Sequence, residues 1–389
     1  MNVNQLKKNN LSVAFVTHTF MPESYGGAEK QTLRLISNFK INNVEAFILA
    51  PRLKKETPSE SFERNVLVKR FKVNHLPNLG GRYIFSFIIW SIKLIYWLLK
   101  NSNKFDLIHV IHGRLHAIPA IFAAKILKKP VLVKPGRGGK KYFDIDAVNS
   151  KKIVGPLFSK YILKNVSGWI AISKQIVADL KSYNIKDELI HKIYNGIDIK
   201  DIRVNKFRKN KTFVVVGRLE KGKGCDQIIR VISKVPENLN VKLVFLGEGI
   251  YKASLEKLTN ELKQTHRIIF KGEVKDVNDQ LINADFYLSA SDSEGMSNSL
   301  MESMALGVPA IASNVSGVVD MVADNQNGFI FEPRDEKSLY AKIIKAINCS
   351  EENYIEMSRS ASQHIFKNFP IELISKEHIK LYTSLVNNF

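Results

Sequence analysis

Two doubly wound α/β domains in tandem, each built on a parallel sheet, are the fold this sequence predicts. Three observations carry the prediction. A chain of 389 residues is too long for one ordinary core. Short β-branched or apolar runs alternate with amphipathic segments along its length, which is the pattern of βα units. The charge also divides sharply: residues 1–209 hold 37 Lys+Arg against 14 Asp+Glu, a net of +23, whereas residues 210–389 hold 21 against 23, a net of −2. The two halves are electrostatically different bodies.

In the first half, strands are expected over 12–17, 44–50, 107–111, 131–134, 168–172 and 192–194, with helices between them such as 28–39 and 115–127. In the second half, strands are expected over 213–217, 241–247, 268–270, 286–289 and 310–313. Its helices should start near Gly224, Tyr251, Val277 and Asn298. Charge rises and apolar periodicity stops over 195–211, so the boundary is placed there. This gives domains 1–203 and 204–369, with the helical spacing of Ile374, Ile379, Leu381 and Leu385 returning 370–389 to the first domain. Ligands of open α/β sheets bind beyond the carboxyl ends of the strands, which places a substrate in a cleft between two such sheets.

A hydrophobic content of 45% with 24% charged residues describes a globular chain rather than a disordered or fibrous one. Two cysteines, Cys225 and Cys349, support neither a disulfide framework nor a zinc cluster, and suit a reducing compartment. Residues 1–10 are polar and Asn/Lys-rich, unlike a secretion signal, so the expected location is cytoplasmic. The longest apolar run, 84–99, is 16 residues with Lys93 inside it and is short for a bilayer span of about 20. It reads either as a buried helix or, with its aromatics and flanking Arg82 and Lys100, as one lying in a membrane interface. The expectation is a protein that is peripheral to the membrane at most, on its inner face, where the basic half would meet anionic lipid.

The most informative segment is Ser293-Glu294-Gly295-Met296-Ser297-Asn298-Ser299-Leu300-Met301-Glu302, followed by an apolar helical stripe. Unpaired amides at a helix N-terminus, with the positive dipole end, hold phosphate. Carboxylates beside phosphate would repel it, so the useful work of Glu294 and Glu302 is to accept hydrogen bonds from ribose or hexose hydroxyls. A nucleotide sugar offers both groups. Without further support, Glu294 could simply complement a helix dipole and Glu302 could lie on a solvated face.

Two other loops strengthen the reading. Gly26 and Gly27 follow the first strand and open a helix, where the backbone can approach a ligand closely. Gly217-Arg218-Leu219-Glu220-Lys221-Gly222-Lys223-Gly224 follows the first strand of the second half, and Arg218 and Lys223 can meet the charge of a departing diphosphate. Lys221 stands nearby in a position better suited to solvent.

These segments resemble the retaining family 4 glycosyltransferases, the glycosyl transferases group 1, which have the GT-B arrangement of two Rossmann-like domains. Glu294 and Glu302 match the E-x7-E signature, Gly217 to Gly224 matches GRLxxxKG, and Gly26-Gly27-Ala28-Glu29 matches GGxE. Weaker matches are Leu246 to Gly249, Phe270 to Val274 around Gly272, Ala171 to Lys174, Tyr194 to Asp198, and Gly317, Asp320 and Asn327-Gly328, where Asp320 replaces the usual Glu.

The resemblance implies Glu302 on ribose, Glu294 on the sugar, Arg218 and Lys223 on the diphosphate, and a donor clamp from Gly295, Met296, Ser297, Asn298 and Ser299. It also implies that Gly26, Gly27, Gly217 and Gly272 face the donor. One departure stands out: the family's His in a T-x-H-G-like turn is missing from Val131 to Gly139, although Lys134 and Arg137 there could contact substrate. His109 and His112, after the preceding strand, are the candidate substitutes.

Asp144-Ile145-Asp146 invites a metal reading, but it lacks a nucleotide-binding context, and no metal or cofactor is expected. The expected activity is transfer of a hexose or N-acetylhexosamine-type sugar from an NDP-sugar to a lipid-linked or surface-polysaccharide acceptor. An epimerase of similar fold is the alternative within enzymes. A nucleic-acid-binding protein would explain the basic half, but aromatics interleaved with the basic residues on a binding module are not evident, and nucleic acid is not an expected partner.

Overall fold

In a computed structural model that describes residues 11–75, 83–139, 141–151 and 154–389, the chain forms two compact units. One comprises Met1–Gly196 with Ile371–Phe389, and the other comprises Ile197–Pro370.

The first unit runs β1 (Ser12–Val16), α1 (Gly27–Phe39), β2 (Glu45–Arg52), β3 (Glu60–Glu63), β4 (Val66–Lys72), α2 (Tyr83–Lys100), β5 (Leu107–Ile111), α3 (Ala117–Leu127), β6 (Val131–Lys134), α4 (Asp144–Asn149), α5 (Gly155–Lys164), β7 (Gly168–Ala171), α6 (Lys174–Ser182) and β8 (Ile190–Lys192). Its sheet has the order β3-β4-β2-β1-β5-β6-β7-β8, parallel throughout except for β3 against β4. β1 and β5 are buried at every residue, because a parallel sheet is covered on both faces.

The second unit runs β9 (Lys211–Val216), α7 (Cys225–Ile232), β10 (Val241–Leu246), α8 (Lys252–Glu261), β11 (Ile268–Phe270), α9 (Val277–Ile282), β12 (Phe286–Ser289), α10 (Asn298–Ala305), β13 (Ala310–Ser313), β14 (Gly328–Phe331), α11 (Glu336–Ile347) and α12 (Glu351–Asn368). Its parallel sheet has the order β11-β10-β9-β12-β13-β14. Side-chain caps start several of these helices where apolar periodicity begins: Asp276 for α9, Ser297 for α10, Asp335 for α11 and Ser350 for α12.

The last helix, α13 (Ile371–Asn388), returns to the first unit and packs Ile371, Ile374, Leu381 and Tyr382 into its core. The Tyr382 hydroxyl lies 2.6 Å from Nδ1 of the buried His109.

Four strands depart from the sequence expectation. β3 and β4 form an edge hairpin in which Val66 and Val68 face inward while Lys69 and Lys72 interrupt the apolar signal. β14 is a four-residue strand whose signal is hidden behind Gly328. The strand expected over 192–194 sits two residues earlier, as β8.

Burial has a consequence for pH. His109 and His116 are held well below the ordinary imidazole range, His18 at about 4 and His378 at about 3, in each case first by burial away from water. All four belong to the first unit. A group whose folded pKa is depressed below its unfolded value of about 6.5 contributes stability that is fully present above that value. That stability is lost as pH falls toward and through the folded pKa, by about 1.4 kcal/mol for each tenfold rise in proton concentration. The urea midpoint of the first unit is therefore expected to drop markedly between pH 7.5 and pH 5. Equal midpoints at the two pH values would contradict this assignment of neutral histidines.

Candidate functional site

In the second sheet the strand order reverses direction between β9 and β12, which is the switch point where open α/β sheets leave a crevice beyond their strand ends. The loops after these two strands carry most of the residues singled out from sequence. Gly224 adopts φ 62°, and a Cβ there would lie 2.2 Å from the Ala290 carbonyl, so only glycine lets the 221–223 turn close on the end of β12. The Asp292 N–H donates to the Gly222 carbonyl at 2.9 Å and fixes the approach. Lys223 is thereby aimed across the loop, and its Nζ donates to Glu294 Oε1 at 2.6 Å. The Ser291 hydroxyl donates to the same oxygen at 2.7 Å.

A shallow pocket opens here, lined by Gly217, Arg218, Lys223, Glu294, Ser297 and Ser299 among others. Arg218 leaves its guanidinium exposed, 2.9 Å from Glu220. Ser297 caps α10 by accepting from the Leu300 N–H, and the Ser299 hydroxyl donates to the Val216 carbonyl at 3.2 Å, which ties the helix start to the end of β9. Tyr287, buried on β12, shares a 2.9 Å hydrogen bond with Ser299, and burial pushes its phenol up to about 12, so it stays neutral.

The remaining residues expected to clamp a donor are adjacent rather than pocket-lining. Gly295 and Met296 are buried in the loop, where Gly317 at φ 75° packs its bare Cα against the Gly295 carbonyl. Asn298 and Glu302 are half-buried on α10, and both Glu294 and Glu302 act electrostatically on Tyr287. Gly272 accepts through its carbonyl from the Gly247 N–H at 2.7 Å, joining the turns after β10 and β11. Cys225 is buried beside the pocket, with its thiol pushed up to about 12 by burial, so it is a small inert residue there.

The first sheet has its own switch point between β1 and β5. Gly26 caps α1, and Glu29 turns back over it, accepting from Thr19 and Ser24 at 2.9 and 2.7 Å. A Cβ on Gly26 would lie 2.5 Å from this carboxylate. Gly27 begins α1. After β5, His112 adopts the left-handed φ of 71°, its N–H donating to the Lys134 carbonyl at 2.8 Å. Its imidazole lies over Gly136, where a Cβ would come within 2.1 Å of the ring. His112 therefore lies against the β6 turn from which the expected histidine is missing. The other candidate, His109, is fully buried against Tyr382 and unavailable. Lys134 is half-buried, its ammonium lowered to about 8 by burial, while Arg137 is exposed.

Asp144 ties this region together. Fully buried at the start of α4, it accepts from the Gly136 N–H at 2.7 Å, the Gly113 N–H at 3.2 Å and Arg114 Nε at 2.9 Å, and lies 3.4 Å from His112 Nδ1. Burial alone would raise its carboxyl, but His112, Arg114 and the Gly136 amide outweigh it and hold the group well below the usual carboxylate range. Asp146 accepts from the Tyr183 hydroxyl. Both carboxylates of the Asp-Ile-Asp motif are therefore engaged within the protein.

Two parallel-sheet α/β units, one of them carrying cations, carboxylates and a helix N-terminus at its switch point, make up the GT-B fold of nucleotide-dependent glycosyltransferases. A family model described as Glycosyltransferase Family 4 matches residues 25–201, and one described as Glycosyl transferases group 1 matches 197–364. The chain belongs to the family 4 glycosyltransferases. Among its relatives, the capsular polysaccharide biosynthesis glycosyltransferase CapM of Staphylococcus aureus is 27% identical over 68% of this chain and 73% of its own length. Sucrose-phosphate synthase from Thermosynechococcus elongatus superposes with a TM-score of 0.82 at 17% identity, covering 97% of this chain and 100% of that one. Anabaena Alr3699/HepE in complex with UDP superposes with a TM-score of 0.75 at 17% identity, covering 96% and 100%.

Proposed function

We propose that this glycosyltransferase is retaining and metal-independent, and moves a hexose or N-acetylhexosamine-type sugar from an NDP-sugar to a lipid-linked or surface-polysaccharide acceptor. We assign it to the cytoplasm, peripheral to the inner membrane face. The observation that carries the reading is the Lys223–Glu294 pair at the rim of the pocket between the β9 and β12 loops. A diphosphate and a sugar together satisfy this pair better than either does alone: phosphate oxygens take the ammonium, and sugar hydroxyls donate to the carboxylate. Arg218, already exposed, adds a second cation for the β-phosphate. The amides from Gly295 to Ser299 at the start of α10 meet the remaining phosphate charge, and Glu302 takes the ribose hydroxyls. The CapM relationship supports the acceptor class, and the UDP complex of HepE supports a nucleoside diphosphate donor.

In the reaction, the bond from the sugar's C1 to the β-phosphate oxygen breaks, and a bond from C1 to the acceptor oxygen forms on the same face. The acceptor proton passes to the departing β-phosphate, and the NDP leaves. Arg218 and Lys223 stabilise the charge that develops on that phosphate. His112, with Lys134 and Arg137, is assigned to the acceptor, held on the first unit. Incubation with UDP-, GDP- and ADP-sugars and a polyprenyl-phosphate-linked glycan, with product analysis by NMR and a parallel EDTA arm, tests the proposal. Transfer with the anomeric configuration of the donor, insensitive to EDTA, is expected. Epimerised donor without transfer, or an inverted product, would overturn it.

A further inference from the structure

Helix α2 is apolar on two opposite faces. Trp90, Leu94 and Leu98 are fully buried, and Trp97 meets Phe47 and Phe71 of the sheet edge-on at 5.5 and 6.4 Å, so one face belongs to the core. At 100° per residue, Phe85, Ile88, Ile89, Ile92 and Tyr96 fall within an arc of about 100° on the other side. All five are exposed, Phe85 at 67% and Ile92 and Tyr96 at 62%. The adjacent α3 adds exposed Phe122 and Ile126, one turn apart. A contiguous face of this size asks for an occupant.

Charge identifies the occupant. Residues 83–129 contain seven Lys and Arg and a single acid, Asp106, whose carboxylate is occupied by the Ser12 N–H at 2.8 Å. Lys93 and Lys100 lie along one edge of the stripe on α2, with Lys100 Nζ 5.8 Å from the Tyr96 ring centroid, and Lys125 and Lys128 follow on and just after α3, whereas Lys129 turns inward onto the Ser102 and Phe105 carbonyls. A second copy of this chain would bring the same cations against these, whereas anionic lipid complements them. The buried Trp90 face anchors α2 in the domain, so the helix lies along a bilayer rather than through it.

We propose that the exposed face of α2, extended by Phe122 and Ile126, docks on an anionic lipid bilayer with the helix lying in the plane of the headgroups. This rests on the proposed lipid-linked acceptor only for its purpose, since docking would bring the first unit to a substrate presented at the membrane. Aromatic and aliphatic side chains enter the headgroup boundary while the lysines remain among the phosphates.

The full chain, sedimented with phosphatidylcholine vesicles with or without 30 mol% phosphatidylglycerol, tests the surface. Retention on the anionic vesicles at least about tenfold above the neutral ones is expected, declining with salt. A Phe85→Ser/Ile92→Ser/Tyr96→Ser triple variant, altered only at solvent-facing positions, should lose that retention. Its circular dichroism and its thermal shift with NDP-sugar should be unchanged. A Lys125→Glu/Lys128→Glu variant should weaken retention without touching the stripe. Equal retention on neutral vesicles, no retention on either, or a wild-type dimer that the triple variant dissolves would each overturn the proposal. Vesicle retention without any response to NDP-sugars would instead overturn the transferase reading and leave the docking surface standing.

Discussion

Lys223→Ala is expected to lower turnover by about 10²–10³-fold, the usual cost of removing one preorganised charge from a developing anion. Lys223 sits half-buried in the pocket wall, 2.6 Å from Glu294, so two effects combine. The leaving phosphate loses a cation, and Glu294 loses the partner that holds it in place. Glu294→Gln should cost a similar factor, because an amide keeps the shape but accepts less strongly from sugar hydroxyls and pairs poorly with the ammonium. The double variant should fall well short of the product of the single effects, because the two side chains act on one another directly. Steady-state kinetics with a matched donor and acceptor would check this. Single variants within threefold of wild type would remove the pair from the chemistry.

Asp144→Ala is expected to destabilise the first unit by about 3–5 kcal/mol, the cost of removing one member of a buried charged network. The substitution strands the Gly113 and Gly136 amides and leaves Arg114 without its carboxylate. It also frees His112, whose left-handed backbone persists only because its surroundings over-determine it. Asp144→Asn keeps one acceptor oxygen and should lose less stability. Because the residues lining the pocket between the β9 and β12 loops all belong to the second unit, donor binding by the Asn variant is expected to match wild type, while transfer is expected to fall through the acceptor role proposed for His112. Urea unfolding and calorimetric titration with donor measure the two halves of this expectation. Intact transfer by a folded Asp144→Asn variant would assign Asp144 to stability alone.

The loops that line the pocket were legible in the sequence because their parts are local. Gly217 to Gly224 and Ser293 to Glu302 are each one strand-loop-helix passage, where turn glycines, a capping serine and charged residues stand in contiguous text. The Lys223–Glu294 ion pair was not legible, since it depends on two loops brought together by strand order and by the close approach of Gly224 to Ala290. Tyr287 falls inside the strand expected over 286–289, and only its hydrogen bond to Ser299 shows that it braces the helix start.

Asp144 illustrates the same limit from the other side. Its motif suggested a metal by spacing, but its true partners are amides and a guanidinium from loops 8 to 31 residues away in sequence. The enclosure of His109 likewise required the returning helix α13, which covers it with Tyr382, while His112 lies beside Gly136. The hairpin of β3 and β4 escaped because β3, at the sheet edge, has a single apolar residue in Phe62, and Lys69, Arg70 and Lys72 break the apolar run of β4.

The pocket between the β9 and β12 loops is expected to hold a nucleoside diphosphate sugar. Calorimetric titration of wild type, Arg218→Ala and Glu302→Ala with UDP-, GDP- and ADP-sugars tests it most directly. One nucleotide series should bind wild type at micromolar to millimolar Kd and lose at least about tenfold in each variant, roughly 1.4 kcal/mol. Binding that is indifferent to both substitutions, or no binding of any NDP-sugar to folded protein, would contradict it.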